Sequence, residues 1–176
     1  MGEYKQFQPK RNIFKWVYLY VFMWFTGRAI KIAAKVDDEI KKEFDQIPNG
    51  FNVALEVLPH GPNMIVGKDQ DGKVNYLGSN VSDKKIDLRM VVHNIDNAMQ
   101  LFTFQESTGV SFMRNRLYLD GEIPYAAAFV RVFDAVEVYL LPKIIAKLAV
   151  KRYPVWSPVR KFTGRAKIYV RAIIGF

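Results

Sequence analysis

The chain has 176 residues, with 26 Lys and Arg against 17 Asp and Glu and no cysteine. That length suits one domain with a substantial core, and the missing thiols exclude disulfides, thiol catalysis and cysteine-ligated metal while fitting a reducing compartment. The net charge of +9 is uneven: residues 1–35 hold seven bases and one acid, 36–142 ten bases and sixteen acids, and 143–176 nine bases and no acid. Basic ends around an acidic middle suit an anionic partner, phospholipid headgroups or nucleic acid. A solvated basic surface that keeps the chain soluble would carry the same pattern.

In the first segment every even position from 14 to 24 is aromatic: Phe14, Trp16, Tyr18, Tyr20, Phe22 and Trp24. Twelve residues from Trp16 to Gly27 carry no charge. As a helix they cover about 18 Å, short of the roughly 30 Å of bilayer hydrocarbon, so a span is not expected. Arg28, Lys31 and Lys35 follow where a signal peptide needs small neutral cleavage residues, so a cleaved leader is not expected either. Beyond Arg28 the apolar residues Ile32, Val36, Ile40 and Phe44 recur at helical spacing. The spacing predicts one long helix over 13–44, bent if anywhere at Gly27 and ended by Pro48 and Gly50. At 100° per residue, Phe14, Tyr18, Phe22 and Phe25 share one side, and Trp16, Tyr20 and Trp24 lie roughly opposite. Core, membrane and dimer interface all remain open for this helix.

Residues 51–58 alternate Phe51, Val53, Leu55 and Val57, and 63–68 and 73–78 flank Asp71-Gly72, a hairpin turn signal. Residues 85–93 point Ile86, Leu88 and Met90 one way and Asp87 and Arg89 the other. These four runs predict an antiparallel meander. Residues 94–108 read as a helix capped by Asn94. Short strands are expected around Phe112 and over 117–119. Residues 124–154 read as helix, started by Pro124 and kinked or divided at Pro142. After a loop at 153–158, a basic amphipathic helix places Arg160, Lys161, Arg165, Lys167 and Arg171 beside Phe162, Ile168, Tyr169 and Ile173, an interfacial pattern that a tail packed on the domain would share.

Catalytic and metal signals are weak. His60 and His93 have no neighbouring ligand at metal-binding spacing. There is no phosphate loop, nucleophile elbow or serine–lysine pair. Asp120 and Glu122 flank Gly121 and could form an acid and a base, but Glu122 there equally complements a helix N-terminus. What stands out is adaptable apolar material, including Met64, Met90, Met99, Phe102, Phe104, Phe112, Met113, Phe129 and Phe133. These are core, or they enclose more volume than they fill.

The segments "FNVALEV", "IDLRMVVHNIDNAMQLF" and "LYLDGEIPYAAAFVRVFDAVEVYLLP" resemble the SCP2-like (sterol carrier protein 2) sterol-transfer family over roughly residues 40–153. The resemblance implies an α+β domain. A five-stranded, mostly antiparallel sheet would be covered on one face by helices, with a lipid tunnel between them. It implies that Met99, Leu101, Phe102 and Phe104, with Ala127, Phe129, Val130 and Phe133, line that tunnel. The first thirty residues and the tail after Tyr153 lie outside the family pattern.

The resulting expectation has three parts: an N-terminal aromatic helix (1–40), a lipid-binding domain (41–153) and a basic tail (154–176). The lipid site is assigned to Met90, Met99, Phe102, Phe104, Phe112, Met113, Phe129, Val130 and Phe133. Membrane contact is assigned to Trp16, Tyr20, Trp24, Arg160, Lys161, Arg165, Lys167 and Arg171. The reading is a non-catalytic lipid- or sterol-binding or transfer protein, without cofactor or metal, in the cytoplasm and peripherally bound to anionic membranes. No nucleic-acid partner is expected, and pairing of two copies through the aromatic helix stays open. The alternatives are a scaffold presenting isoprenoid or quinone-type lipids to membrane enzymes, and a nucleic-acid-binding protein acting through its basic ends.

Overall fold

A computed structural model describes residues 12–140 and 158–174, apart from the side chains of 158–162, 167, 173 and 174. In chain order the elements are α1 (Ile13–Val36), α2 (Asp38–Asp45), β1 (Asn52–Val57), β2 (Asn63–Lys68), β3 (Val74–Gly78), β4 (Leu88–Val92), α3 (Ile95–Phe102), α4 (Thr108–Met113), β5 (Leu117–Asp120), α5 (Ile123–Leu140) and α6 (Pro158–Ile174).

The strands form one sheet in the order β3-β2-β1-β4-β5. The β2–β3 hairpin closes through Gly72, whose φ of 79° sits where side chains are disfavoured. β4 does not continue the meander beside β3; it returns to β1 and pairs with it in parallel, Leu55 opposite Met90. An alternating pattern fixes which face a strand buries but not which strand it joins, so the sheet is mixed, with its other pairings antiparallel. One face carries Val53, Leu55, Val57, Met64, Val66, Leu88, Met90, Val92 and Leu117 into the core. The opposite face carries the Arg89–Glu56 ion pair at 2.7 Å.

The helices cover the apolar face. α1 crosses β2 and β3, and α3 and α5 lie against β4. The buried stripe of α1, Leu19, Met23, Thr26, Gly27, Ile30 and Ala33, follows the helical period. α1 runs unbroken through Gly27. The glycine serves close approach instead: a Cβ there would lie 2.5 Å from Tyr76 Cδ2.

The long helix expected over 13–44 is divided at Asp37. That residue leaves helical geometry (φ −120°, ψ 115°), and its backbone N–H bonds Ala33 O. Its carboxylate accepts from the N–H groups of Glu39 and Ile40, so one side chain ends α1 and caps α2. Tyr139 Oη of α5 also donates to Asp37 Oδ2. At the other end of α2, the buried Lys68 Nζ donates to Phe44 O (3.0 Å) and Ile47 O (2.8 Å).

The region after β4 differs from expectation in two places. Asn94 caps α3, accepting from Asn97 N at 2.8 Å, but the helix ends at Phe102 and not near 108. Phe112 is helical, not extended, because Ser107 caps a separate short α4 through Val110 N. α5 starts at Ile123, just before Pro124, and the Pro142 kink falls outside the described residues. α6 packs on α1 and α5 with Ile168 and Ala172 buried, and its Tyr169 ring lies 5.6 Å from Phe25.

Candidate functional site: an apolar cavity between sheet and helices

The cavity is lined by alternate strand residues and by one face of each covering helix. Leu55, Met90 and Leu117 come from the sheet, Leu101 and Phe102 from α3, Thr108 from α4, and Phe129, Val130 and Phe133 from α5. Its wall continues as an aromatic chain, with Phe102 centred 6.0 Å from Phe133 and 5.3 Å from Phe22, and Phe22 6.3 Å from Phe104. The cavity volume is about 20 Å³, with about 310 Å³ of empty space once its open mouth is included. Ligand pockets for drug-sized molecules run roughly 300–1,000 Å³. The enclosed space holds about one water molecule, so in this conformation the layer is nearly closed and is not a tunnel.

Five of the residues assigned to the lipid site from sequence line the cavity: Met90, Phe102, Phe129, Val130 and Phe133. Met99 packs against the core beside it, and Phe104 lies behind Phe22. Phe112 and Met113 stand on the outer side of α4, 49% and 77% exposed, and Ala127 is on the outer face of α5. Leu55 and Leu117 were not singled out, although both are inward residues of alternating strands. Thr108 carried no signal, because its segment did not read as the start of a separate helix.

The α4 wall is bracketed by two non-glycine residues in the left-handed region, Phe104 (φ 63°) and Asn115 (φ 54°). Glu106 holds this wall in place. It accepts from Ser111 Oγ (3.0 Å), Arg114 Nη1 (2.7 Å) and Arg116 Nη1 (2.9 Å). Burial pushes the Glu106 carboxyl up, but Ser111 and the two arginines outweigh it and leave it below the usual range.

A pair of carboxyls, Asp134 and Glu137, lies on α5. Glu137 is 5% exposed, and neither it nor Asp134 makes a hydrogen bond or ion pair among the described residues. Burial raises the Glu137 carboxyl well above the usual range, helped by the nearby Asp134 charge. Burial also raises Asp134 to about 6.

Near its N-terminus α1 exposes Ile13, Phe14, Val17, Tyr18, Tyr20 and Val21, with Phe14 90% exposed. Trp16 stacks on Tyr20 (5.3 Å, 9°), and its Nε1–H donates to His60 O at 3.0 Å. Trp24 is half-buried under the Arg28 guanidinium, 4.8 Å from its ring centre. The Phe/Tyr side turns inward only from Phe22, which meets Phe102; Tyr18 is exposed, with its Oη donating to Phe102 O at 3.2 Å. On α6, Arg171 is exposed, whereas Arg165 Nε donates to Tyr139 O at the end of α5 (2.8 Å). The side chains of Arg160, Lys161 and Lys167 lie outside the described residues. Among the described residues no helix is long and apolar enough to cross a membrane.

No protein-family model and no curated protein matches the chain. Solved structures of low identity do. A protein titled "UbiJ-SCP2 Ubiquinone synthesis protein" is 16% identical with a TM-score of 0.41, over 74% of this chain and 97% of that one. The sterol carrier protein domain 2 of Helicoverpa armigera is 14% identical with a TM-score of 0.42, over 68% and 85%. The apo sterol carrier protein 2 of Yarrowia lipolytica is 16% identical with a TM-score of 0.43, over 62% and 88%. The chain is thus similar, at low identity, to solved SCP2 domains.

Proposed function

We propose that the chain is a non-catalytic lipid- or sterol-binding or transfer protein that takes an apolar ligand between its sheet and α3–α5 and docks peripherally on anionic membranes. The observation that carries this reading is the apolar cavity bounded by Phe102, Phe129 and Phe133 at the junction of sheet and helices. Removing about 300 Å² of ligand surface from water is worth roughly 7 kcal/mol before ordering costs, which limits affinity to the micromolar range or slightly tighter. A ligand of that size does not fit the closed cavity, so uptake requires the α3–α4 wall to move outward about Phe104 and Asn115. Exposed apolar residues of α1 beside Lys15, in a segment rich in Lys and Arg, support a role for this end of the molecule at an anionic surface.

Mass spectrometry of an organic extract of the purified chain tests the ligand, and co-sedimentation with anionic and neutral vesicles tests the docking. A co-purifying lipid and preference for anionic vesicles are expected. Failure to take up any of a panel of sterols, fatty acids and prenyl lipids contradicts the reading. Binding without movement between vesicles would favour the scaffold alternative, which the name of one similar protein, a ubiquinone synthesis protein, also fits.

A further inference from the structure

α4 is inverted for a helix on the surface of a domain. Its six residues, Thr108–Met113, bury only Ser111 and turn Phe112 and Met113 outward, 49% and 77% exposed. An ordinary surface helix points its bulky apolar residues at the core. Intrinsic propensity does not favour the helix either, because Gly109 and the β-branched Thr108 and Val110 are poor helix formers. A Cβ at Gly109 would meet nothing within 4 Å, so that side of α4 is open.

Glu106 supplies a grip on this weak helix. Ser111 Oγ within α4, and Arg114 and Arg116 just after it, donate to its carboxylate. The Glu106 side chain is 6% exposed and that of Arg114 60%, so the ion pair is open to solvent from the arginine side. Phe104 and Asn115 bracket the segment at φ 63° and 54°, where residues other than glycine are strained. On the inner side, Thr108 at the start of α4 lines the cavity. One short helix thus separates the cavity from a surface that carries two exposed apolar side chains and an accessible guanidinium.

We propose that α4 is the lid of the cavity and that an anionic bilayer opens it. Phe112 and Met113 enter the boundary between headgroups and acyl chains. Lipid phosphates then replace the Glu106 carboxylate on Arg114 and Arg116, because a phosphate matches a guanidinium in the same bidentate way. The released segment turns about Phe104 and Asn115, and Thr108 leaves the cavity wall. Charge favours a bilayer as the occupant, since two guanidinium groups against one carboxylate leave the cluster positive. Size disfavours a second protein, since two side chains fall far short of the roughly 800 Å² per partner that a stable protein interface buries.

This inference rests on the lipid-binding reading, and the test keeps the two apart. The chain has no cysteine, so Met113→Cys in the full-length protein takes a single environment-sensitive nitrobenzoxadiazole label. Vesicles of phosphatidylcholine with phosphatidylglycerol should brighten and blue-shift that label, and vesicles of phosphatidylcholine alone should not. Neither should affect a label at Ser82→Cys, on the exposed connection between β3 and β4. Uptake of fluorescent cis-parinaric acid from the same vesicles tests the lid. Replacing Phe112 and Met113 together by Ser should slow uptake from anionic vesicles about ten-fold. Glu106→Gln, which loosens the grip, should speed uptake from neutral vesicles about three-fold. A label at Met113→Cys that ignores anionic vesicles, an equal response at Ser82→Cys, or uptake unchanged in the double variant overturns the lid proposal alone. If the unaltered chain takes up the fatty acid neither from buffer nor from either vesicle, the lipid-binding reading itself falls.

Discussion

Glu106 and Glu137 are both acids with largely buried side chains, one next to α4 and one on α5, yet they are treated in opposite ways. Glu106, on the α3–α4 connection, is 6% exposed and meets two arginines and a serine. Glu137, on α5, meets none among the described residues. The first keeps its charge because its lone pairs are filled by donors; the second is driven toward its neutral form because burial offers nothing in return. A paired carboxylate belongs to the architecture, here fixing the one wall of the cavity built from a short helix. An unpaired one is a standing cost, and such costs gather at sites that act on something else.

Removing the paired acid should have the largest effect. Glu106→Leu takes the shared acceptor from Ser111, Arg114 and Arg116, though Arg116 keeps Gln100, and should lower stability by about 1–2 kcal/mol in urea unfolding. A loss under 0.5 kcal/mol would show that the cluster does not hold the wall. Removing the unpaired acid should act in the other direction. Glu137→Leu at pH 8 should raise stability by about 1–2 kcal/mol, since no partner among the described residues is abandoned and a buried carboxyl is replaced by an apolar side chain.

The pH profile sharpens the contrast. Asp134 has a raised folded value of about 6 against an ordinary 3.8, so it binds its proton more tightly when folded. Its contribution to stability is complete below pH 3.8 and is lost as pH rises through about 6, an effect of about 1–3 kcal/mol. Glu137 acts with the same sign. Glu106, with a lowered value, stabilises above its ordinary 4.5 and loses that contribution as pH falls. Asp134→Asn should therefore flatten the decline in stability between pH 4 and 6, measured by urea unfolding at fixed ionic strength, and a decline of the same size would contradict the assignment. The smallest effect is expected at an exposed pair for comparison. Lys15 and Asp96 meet at 2.5 Å in water, and Lys15→Ala should change stability by less than about 1 kcal/mol.

How much of this was legible in the sequence depended on how local the determining physics was. The inward strand positions, the Asp71-Gly72 turn and the Asn94 cap follow from neighbours a few residues apart, and all are seen. The break at Asp37 was also written locally, as an acid followed by Asp38 and Glu39, but the continuous 32–36–40–44 spacing masked it because α2 resumes in nearly the same phase. The parallel return of β4 to β1 and the packing of Tyr76 on Gly27 depend on residues tens of positions apart, and no period encodes them. In the cavity, Phe102, Phe129 and Phe133 announced themselves by size and spacing. The burial of Glu137 on α5 did not show, because a single acid in an apolar helix reads the same whether its carboxyl faces water or the interior.

The central claim is that an apolar ligand occupies the space between the sheet and α3–α5. It is tested most directly by titrating a fluorescent sterol into the unaltered chain and into Val130→Trp, whose indole would fill the cavity from α5. One saturable site in the unaltered chain, lost in a Val130→Trp variant that melts cooperatively, is the predicted result. Equal binding by both proteins, or saturable binding by neither, would contradict it.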